Sequence, residues 1–325
     1  MSKEEVLVMI KWGVIGLGRI ASRFMEGLSY CQDGYLYAGA SYTQEKREQF
    51  HQKYPQALVF DNYDELLNHS DIDAVYIAVP HQMHYEWAKK ALLNGKAVLC
   101  EKPATLSYQQ TQELCELSQE HHTFFMEAMK TRFIPVIQDL KSLLNDGVIG
   151  DIERIETSFC SDVKYNEKSY LFDLQQGGAL YDVGIYNIAT ILDYIHAPVS
   201  DINTYIERKY GVDAYDRIEL VFETGQKAIV EVAIDRVKEK IMTIYGTKGK
   251  ITATPFYRPT EFSVYDKNGQ ESVYFKAYIY DDFYTEIQEV HQCIKQHHIQ
   301  SQRMSHQDSL KCIALIEKIK ESFYD

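Results

Sequence analysis

Three short segments of this 325-residue chain carry residue types able to do chemistry. The first is Gly16-Leu17-Gly18-Arg19-Ile20-Ala21, set directly after an apolar run at 11–15 and opening an amphipathic stretch. Two glycines and a final small residue allow a tight turn and close approach of backbone to a pyrophosphate, and the helix beyond them offers unpaired N–H groups and a partial positive charge. The second is Glu101-Lys102-Pro103, where a lysine leaves an apolar run between an acid and a proline. A lysine so placed can orient a substrate hydroxyl or lower a neighbour's pKa; the plainer alternative is surface charge. The third is Gly177-Gly178-Ala179-Leu180-Tyr181-Asp182-Val183-Gly184-Ile185-Tyr186. Asp182 and Tyr186, four apart, share one face of a helix, and an acid and a phenol near an ammonium make a proton-handling set. With 25 tyrosines in the chain, spacing alone reads Tyr186 as half-buried packing.

Those segments need elements to hold them. Short apolar runs at 10–15, 36–41, 58–60, 74–79, 97–100 and 123–128 alternate with amphipathic stretches. Runs too short for helices and too continuous for one-sided strands belong to a parallel sheet covered on both faces. In such a sheet ligands bind beyond the carboxyl ends of the strands. The residues at those ends are Gly16 after the first strand, Pro80-His81 after the fourth, Glu101-Lys102-Pro103 after the fifth and Lys130-Thr131-Arg132 after the sixth. Helices are expected from about 44 to Tyr54-Pro55, from 84 to Asn94-Gly95, and after Ser107, whose Gln110 completes a capping box. Beyond Arg132 the pattern changes. A helix at 135–144 and a strand at 152–160 precede an irregular stretch and a helix from Gly177-Gly178 to about 194. Seven longer alternating runs between 202 and 277, joined by turn signals such as Asn268-Gly269, predict an antiparallel sheet with one wetted face. Helices at 283–296 and 309–322 close the chain.

The expected architecture is α/β: an N-terminal Rossmann dinucleotide-binding domain at 1–128 and a C-terminal α+β domain at 129–325 on a large, mostly antiparallel open sheet. A net charge of −13 disfavours nucleic acid and anionic membrane as partners. The start Met1-Ser2-Lys3-Glu4-Glu5 lacks a signal-type apolar stretch, and no run approaches the ~18 residues of a membrane span. Six dispersed cysteines without a C-x-x-C pair read as buried thiols of a cytoplasmic protein. No metal-ligand spacing is present, so no metal is expected.

At the end of the second strand, where an acid usually grips the adenosine ribose, stand Ala40-Ser41-Tyr42. No carboxylate is placed to repel a 2′-phosphate, while Ser41, Thr43, Lys46, Arg47 and Arg19 can bind one; Lys46 and Arg47 read equally well as a solvated helix face. NADP is therefore favoured over NAD. The expected cofactor-binding set is Gly16, Gly18, Arg19, Ile20, Ser41, Tyr42, Pro80, His81, His84, Glu101 and Lys102, with His81 and His84 reading equally as nicotinamide neighbours or as satisfied loop histidines.

The glycine loop, Glu101-Lys102-Pro103 and the 177–186 segment, in this order and at these separations, resemble the glucose–fructose oxidoreductase/inositol dehydrogenase (Gfo/Idh/MocA) family. The similarity extends from about Met9 onward and includes Ile77-Ala78-Val79-Pro80-His81-Gln82-Met83-His84, Gly246-Thr247-Lys248-Gly249 and the closing helices. Tyrosine rather than histidine at 186 is similar to the dihydrodiol dehydrogenase/xylose dehydrogenase-like branch. The resemblance implies an NAD(P)-dependent oxidoreductase acting on a sugar, polyol or related diol. Tyr186 would be the general acid/base, Lys102 its partner and Asp182 a positioning group, with Arg132 and Lys130 as substrate residues. It also implies a homodimer or higher homo-oligomer formed on the open sheet face. A tyrosine of unperturbed pKa about 10 is a poor base at neutral pH, and a nearby ammonium stabilises its phenolate. Two positions depart from the family pattern: Tyr42 replaces a frequent arginine of NADP users, and Lys130 replaces a frequent tryptophan, which predicts a pocket lacking that aromatic wall. The resemblance leaves two alternatives, an NAD-dependent glycoside hydrolase and a non-catalytic dinucleotide-binding regulator.

Overall fold

The computed structural model describes residues 9–323; the acid-bearing start Met1-Ser2-Lys3-Glu4-Glu5 and the last two residues lie outside them. The chain divides into two compact units. The first contains β1 (Ile10–Ile15), α1 (Arg19–Ser29), β2 (Gly34–Ala40), α2 (Gln44–Lys53), β3 (Leu58–Phe60), α3 (Tyr63–Asn68), β4 (Ala74–Ile77), α4 (His81–Leu93), β5 (Ala97–Glu101), α5 (Tyr108–Glu120) and β6 (Phe125–Ala128). Its sheet runs β3-β2-β1-β4-β5-β6 with every pair parallel, so the strand order reverses between β1 and β4. That reversal is the crevice where doubly wound sheets take nucleotides. Every residue of β4, β5 and β6 is buried, as strands covered on both faces require. The expected helix ends hold: α2 stops before Tyr54-Pro55, and α4 ends at Asn94 with Gly95 at φ +66°. The start of α4 lies three residues earlier than expected, because Pro80 delimits it.

The second unit begins with a 3₁₀ turn at Lys130–Phe133, then α6 (Pro135–Asn145), β7 (Ile152–Cys160), a π-helical turn at Leu180–Gly184 and α7 (Ile185–Tyr194). The strands β8 (Val199–Lys209), β9 (Val212–Phe222), β10 (Lys227–Ala233), β11 (Met242–Gly246), β12 (Gly249–Ala253), β13 (Glu261–Asp266) and β14 (Glu271–Phe275) come next. Together with β7 they form an eight-stranded sheet ordered β14-β13-β12-β11-β7-β10-β9-β8. Only β7 and β10 pair in parallel; every other pairing in this sheet is antiparallel. In β9 the buried Ile218, Leu220 and Phe222 alternate with half-buried Arg217, Glu219 and Val221, so one face is core and the other carries charge.

A single cut at 128/129 is not what the fold shows. Residues Ile279–His306, including α8 (Tyr284–Lys295), pack with the first unit, and the second resumes at Gln307 with most of α9 (His306–Glu321). The reason is a buried polar relay. Trp12 Nε1 donates to His291 Nε2 at 2.8 Å, His291 Nδ1 meets Asp33 Oδ1 at 2.7 Å, and Lys295 also pairs with Asp33. Arg23 pairs with Asp282, and a side chain on Gly27 would overlap Phe283. Among the described residues no helix is long and apolar enough to cross a membrane. All six cysteines are buried free thiols.

Candidate functional site

In the first unit the glycine loop sits at the strand-order reversal. Gly16 has φ +90°, and a Cβ there would lie 2.5 Å from the carbonyl oxygen of Ala78, just past β4. Glycine alone fits. Gly18 is the N-cap of α1; a Cβ on it would meet nothing within 4 Å, no side chain caps the helix, and its first turn holds no acid. Backbone donors, open space and a positive helix end suit the diphosphate of a dinucleotide. Gly16, Gly18, Arg19 and Ile20 would hold that diphosphate. Arg19 is exposed at this helix start.

The end of β2 is equally free of acid. Ser41 is buried, its Oγ accepts from Thr43 N at 3.2 Å, and Arg47 donates through Nη1 to the Ser41 carbonyl at 2.8 Å. Arg47 is thus anchored to the strand end, while Lys46 is exposed. Tyr42, 54% exposed, rests against Tyr63 with ring centroids 4.4 Å apart.

Lys102 leaves β5 half-buried, and the turn that carries it is tied from three sides. Lys102 N donates to Glu101 Oε2 at 3.2 Å, and the buried Glu101 accepts from Tyr76 of β4. Ala104 N donates to Glu127 Oε1 of β6 at 2.9 Å. His84, in the first turns of α4, bridges Pro103 O at 2.7 Å and Val79 O at 2.8 Å through its two ring nitrogens. Burial lowers the His84 pKa, the two carbonyls opposing that effect only in part. His84 is therefore a strut between the turns after β4 and β5, and His81 is buried beside it. Pro80, His81, His84, Glu101 and Lys102 all gather at the carboxyl edge of this sheet.

In the second unit the glycine pair does specific work. Gly178 has φ +99°, and a Cβ on it would fall 2.0 Å from Asp213 Oδ1; one on Gly177 would fall 2.4 Å from Leu171 O. The closeness lets Asp213 Oδ2 accept from Leu180 N at 2.8 Å, capping the helical segment that bears Asp182 and Tyr186. Asp182 lies in the π-turn and Tyr186 in the first turn of α7. A π-turn often marks a functional site. The Tyr186 ring, 9% exposed, stacks on Phe159 at 5.8 Å, which stacks on Tyr257 at 4.5 Å. Phe159 of β7 and Tyr257 thus form an aromatic cluster with Tyr186.

Sequence reading missed Asp213 and Asp216, although acids that interrupt the apolar rhythm at the start of β9 were a visible signal. Asp216 is fully buried and neither carboxylate oxygen has a hydrogen-bond partner. Burial, then the charge of Asp213, hold its carboxyl well above the usual range. The folded state therefore keeps a proton that the unfolded chain releases near pH 4, and stability falls as pH rises from there toward the folded pKa. Asp216→Asn, which is uncharged at every pH, should flatten that slope. It should add on the order of 1–3 kcal/mol near neutrality. Thermal melts at pH 5 and pH 8 check this; parallel losses in variant and parent would contradict it.

Arg132, expected as a substrate residue, lies in a buried ion-pair cluster. It is 3% exposed, pairs with Asp308 at 3.1 Å, approaches Asp193 at 3.9 Å and donates to Ala189 O at 3.2 Å. Its guanidinium binds the 3₁₀ turn to α7 and α9, an interior role that a buried arginine fills only when paired. Lys130 is likewise buried, at 6% exposure. Lys102 belongs to the first unit and Tyr186 to the second. Cys31, Asp33 and His291 lie close enough to suggest a cation site, but both nitrogens of His291 are already engaged, by Trp12 and Asp33.

Comparison with known proteins agrees with these two units. Residues 10–129 match the Gfo/Idh/MocA "Oxidoreductase family, NAD-binding Rossmann fold", and residues 137–252 match the "GFO/IDH/MocA C-terminal domain". The chain is 32% identical to a trans-1,2-dihydrobenzene-1,2-diol dehydrogenase of Xenopus laevis over 81% of this chain and 80% of that one. It is 28% identical to the scyllo-inositol 2-dehydrogenase (NADP(+)) of Bacillus subtilis over 96% and 97% of the two chains. Its fold is similar to that of the 3-ketoreductase KijD10 from Actinomadura kijaniata, solved with NADP and TDP-benzene. That likeness has a TM-score of 0.87 at 24% identity and covers 96% and 97% of the chains.

Proposed function

We propose, from the premise that the chain belongs to the Gfo/Idh/MocA family and is an NAD(P)-dependent oxidoreductase, that it interconverts a secondary hydroxyl and a carbonyl on a sugar, polyol or related diol. The observation that carries this reading is Lys102, set by three separate ties at the carboxyl edge of a sheet whose glycine loop is open to a dinucleotide. The relatives' names support the substrate class: one acts on a dihydrodiol and another on an inositol.

When bound, the nicotinamide supplies or accepts the hydride. Tyr186 exchanges the hydroxyl proton with the substrate oxygen, as phenol in reduction and phenolate in oxidation. Lys102 orients that oxygen and favours the phenolate electrostatically. Asp182 accepts a hydrogen bond from a second hydroxyl, which suits a polyhydroxylated substrate. The aromatic rings around Tyr186 exclude water from the proton transfer.

NADP is the preferred cofactor in this proposal, with Arg47 and Ser41 at the ribose end. Arginine binds phosphate through charge-assisted hydrogen bonds. Arg47→Ala should raise KM for NADP about 10-fold or more while changing KM for NAD little. Steady-state kinetics with both cofactors decides; equal changes for the two would remove Arg47 from 2′-phosphate recognition. We also propose that a second copy of the chain covers the charged sheet face, which sedimentation would read as a dimer or larger assembly.

The test of the whole reading is a matrix of aldoses, inositols and diols against NAD and NADP, monitored at 340 nm. Reduced nicotinamide formed in step with oxidised product is expected. Cofactor binding without turnover across the matrix would favour a regulator, and cleavage of glycosides without net reduction would favour a hydrolase.

A further inference from the structure

A cavity of about 260 Å³ opens in the second unit, lined by the end of α7, the start of β8 and one face of α9. It shares no residue with the cofactor and proton-transfer groups described above. Ile195 and Leu315 form a buried floor, with Leu192 and Val199 half-buried beside them, while His196, Lys311 and Lys318 stand exposed at the rim. An apolar cavity of about 150 Å³ accommodates benzene, so this one has room for a chain of several carbons.

Charge sets this cavity apart. Seven of its ten lining residues are apolar, three are basic and none is acidic, in a chain with thirteen more acidic than basic residues. The cavity along α5, by contrast, is lined by Glu113, Glu116 and Glu120, and the smaller one beside Tyr165 includes Asp162 and Asp235. Lys311, Ala314, Leu315 and Lys318 fall at i, i+3, i+4 and i+7, so the two lysines bracket an apolar patch on one face of α9, about 10 Å apart along its axis. Two acids of α9 near them in sequence are engaged elsewhere: Asp308 pairs with Arg132, and Glu317 accepts from Tyr108 N at 2.9 Å. The end of α7 brings a carbonyl dipole to this wall, equivalent to roughly half a negative charge, and two ammonium groups outweigh it.

We propose that the cavity binds a small amphipathic carboxylate, its hydrocarbon body on Leu192, Ile195 and Leu315 and its head group met by Lys311 and Lys318. An apolar floor alone takes any oily molecule. The lysines add a charge-assisted hydrogen bond that only an anionic head group gains, and they repel an ammonium. The site goes beyond the oxidoreductase reading and stands independently of it, because its residues lie outside the dinucleotide turn and the Tyr186 cluster.

The test uses the full chain with saturating NADP, which keeps carboxylates off the dinucleotide turn. Titration calorimetry compares octanoate, octanol and octylamine, three probes with one hydrocarbon chain and different head groups. Octanoate should bind about 10-fold or more tighter than octanol, the advantage shrinking with salt, and octylamine more weakly than either. Lys311→Met/Lys318→Met keeps apolar stems and removes the charges, so octanoate and octanol should then bind within about 2-fold of each other. Ala314→Phe places a ring in the cavity and should abolish binding of both.

Circular dichroism and thermal melts establish that the variants fold. Should Ala314→Phe not fold, the exposed lysine pair decides alone. Four results overturn the proposal: no saturable octanoate heat up to about 5 mM, equal affinity for octanoate and octanol, tighter binding of octylamine, or an octanoate preference that survives either variant.

Discussion

Tyr186→Phe lowers kcat by about 10²–10⁴, the usual contribution of a positioned acid or base. The same variant keeps its cofactor affinity and its fold, because phenylalanine preserves the ring that stacks on Phe159. A loss confined to kcat separates a proton-transfer group from one that merely binds substrate, whose removal would raise KM. Stopped-flow reduction of NADP under single-turnover conditions reads the chemical step directly. Turnover equal to the parent's, with cofactor bound as tightly, would take Tyr186 out of the mechanism and leave Lys102 without a partner.

The second large effect is structural and sits eight residues earlier. Gly178→Ala must place a methyl group 2.0 Å from Asp213 Oδ1 while holding φ at +99°. Relief requires moving Asp213, which also surrenders its cap on Leu180 N. Overlap in a packed interior costs about 1–3 kcal/mol, and loss of a side-chain cap a further 0.5–2 or so. The expected fall in Tm is roughly 5–15 °C by scanning calorimetry. The helix carrying Asp182 and Tyr186 should also lose its fixed start, so activity in the folded fraction drops more than the stability change alone predicts. A variant melting within about 1 °C of the parent would show that the turn relaxes without cost.

Much of this was legible beforehand, and the legible parts share a cause. β1, β3 and β7 have the bounds that their apolar runs predict, and α6 and α7 end within a residue of the expected stops. Each is governed by side-chain period and by punctuation from proline, glycine and asparagine, which act over a few residues. The glycine loop and Glu101-Lys102-Pro103 were visible for the same reason: a motif directly after a strand inherits its position from the strand. The partners of Arg132 were hidden, because nothing near it in the chain reveals Asp193 and Asp308, sixty-one and 176 residues away. The aromatic neighbours of Tyr186 were equally hidden, since Phe159 and Tyr257 come from elements far apart in sequence.

The sequence by itself determined the parallel six-stranded unit, the mostly antiparallel eight-stranded one, the glycine turn for a dinucleotide and a position for lysine at a strand's end. Those arise from local periodicity and from backbone conformations that only glycine or proline tolerates. Tertiary structure alone decided that Ile279–His306 returns to the first unit, that Asp213 caps the segment of Asp182 and Tyr186, and that Phe159 and Tyr257 come to lie beside the Tyr186 ring. Each of those depends on which buried groups find partners across long stretches of chain. Hydrogen bonds and ion pairs act over a few ångströms of space without regard to separation in sequence, and no local pattern encodes them.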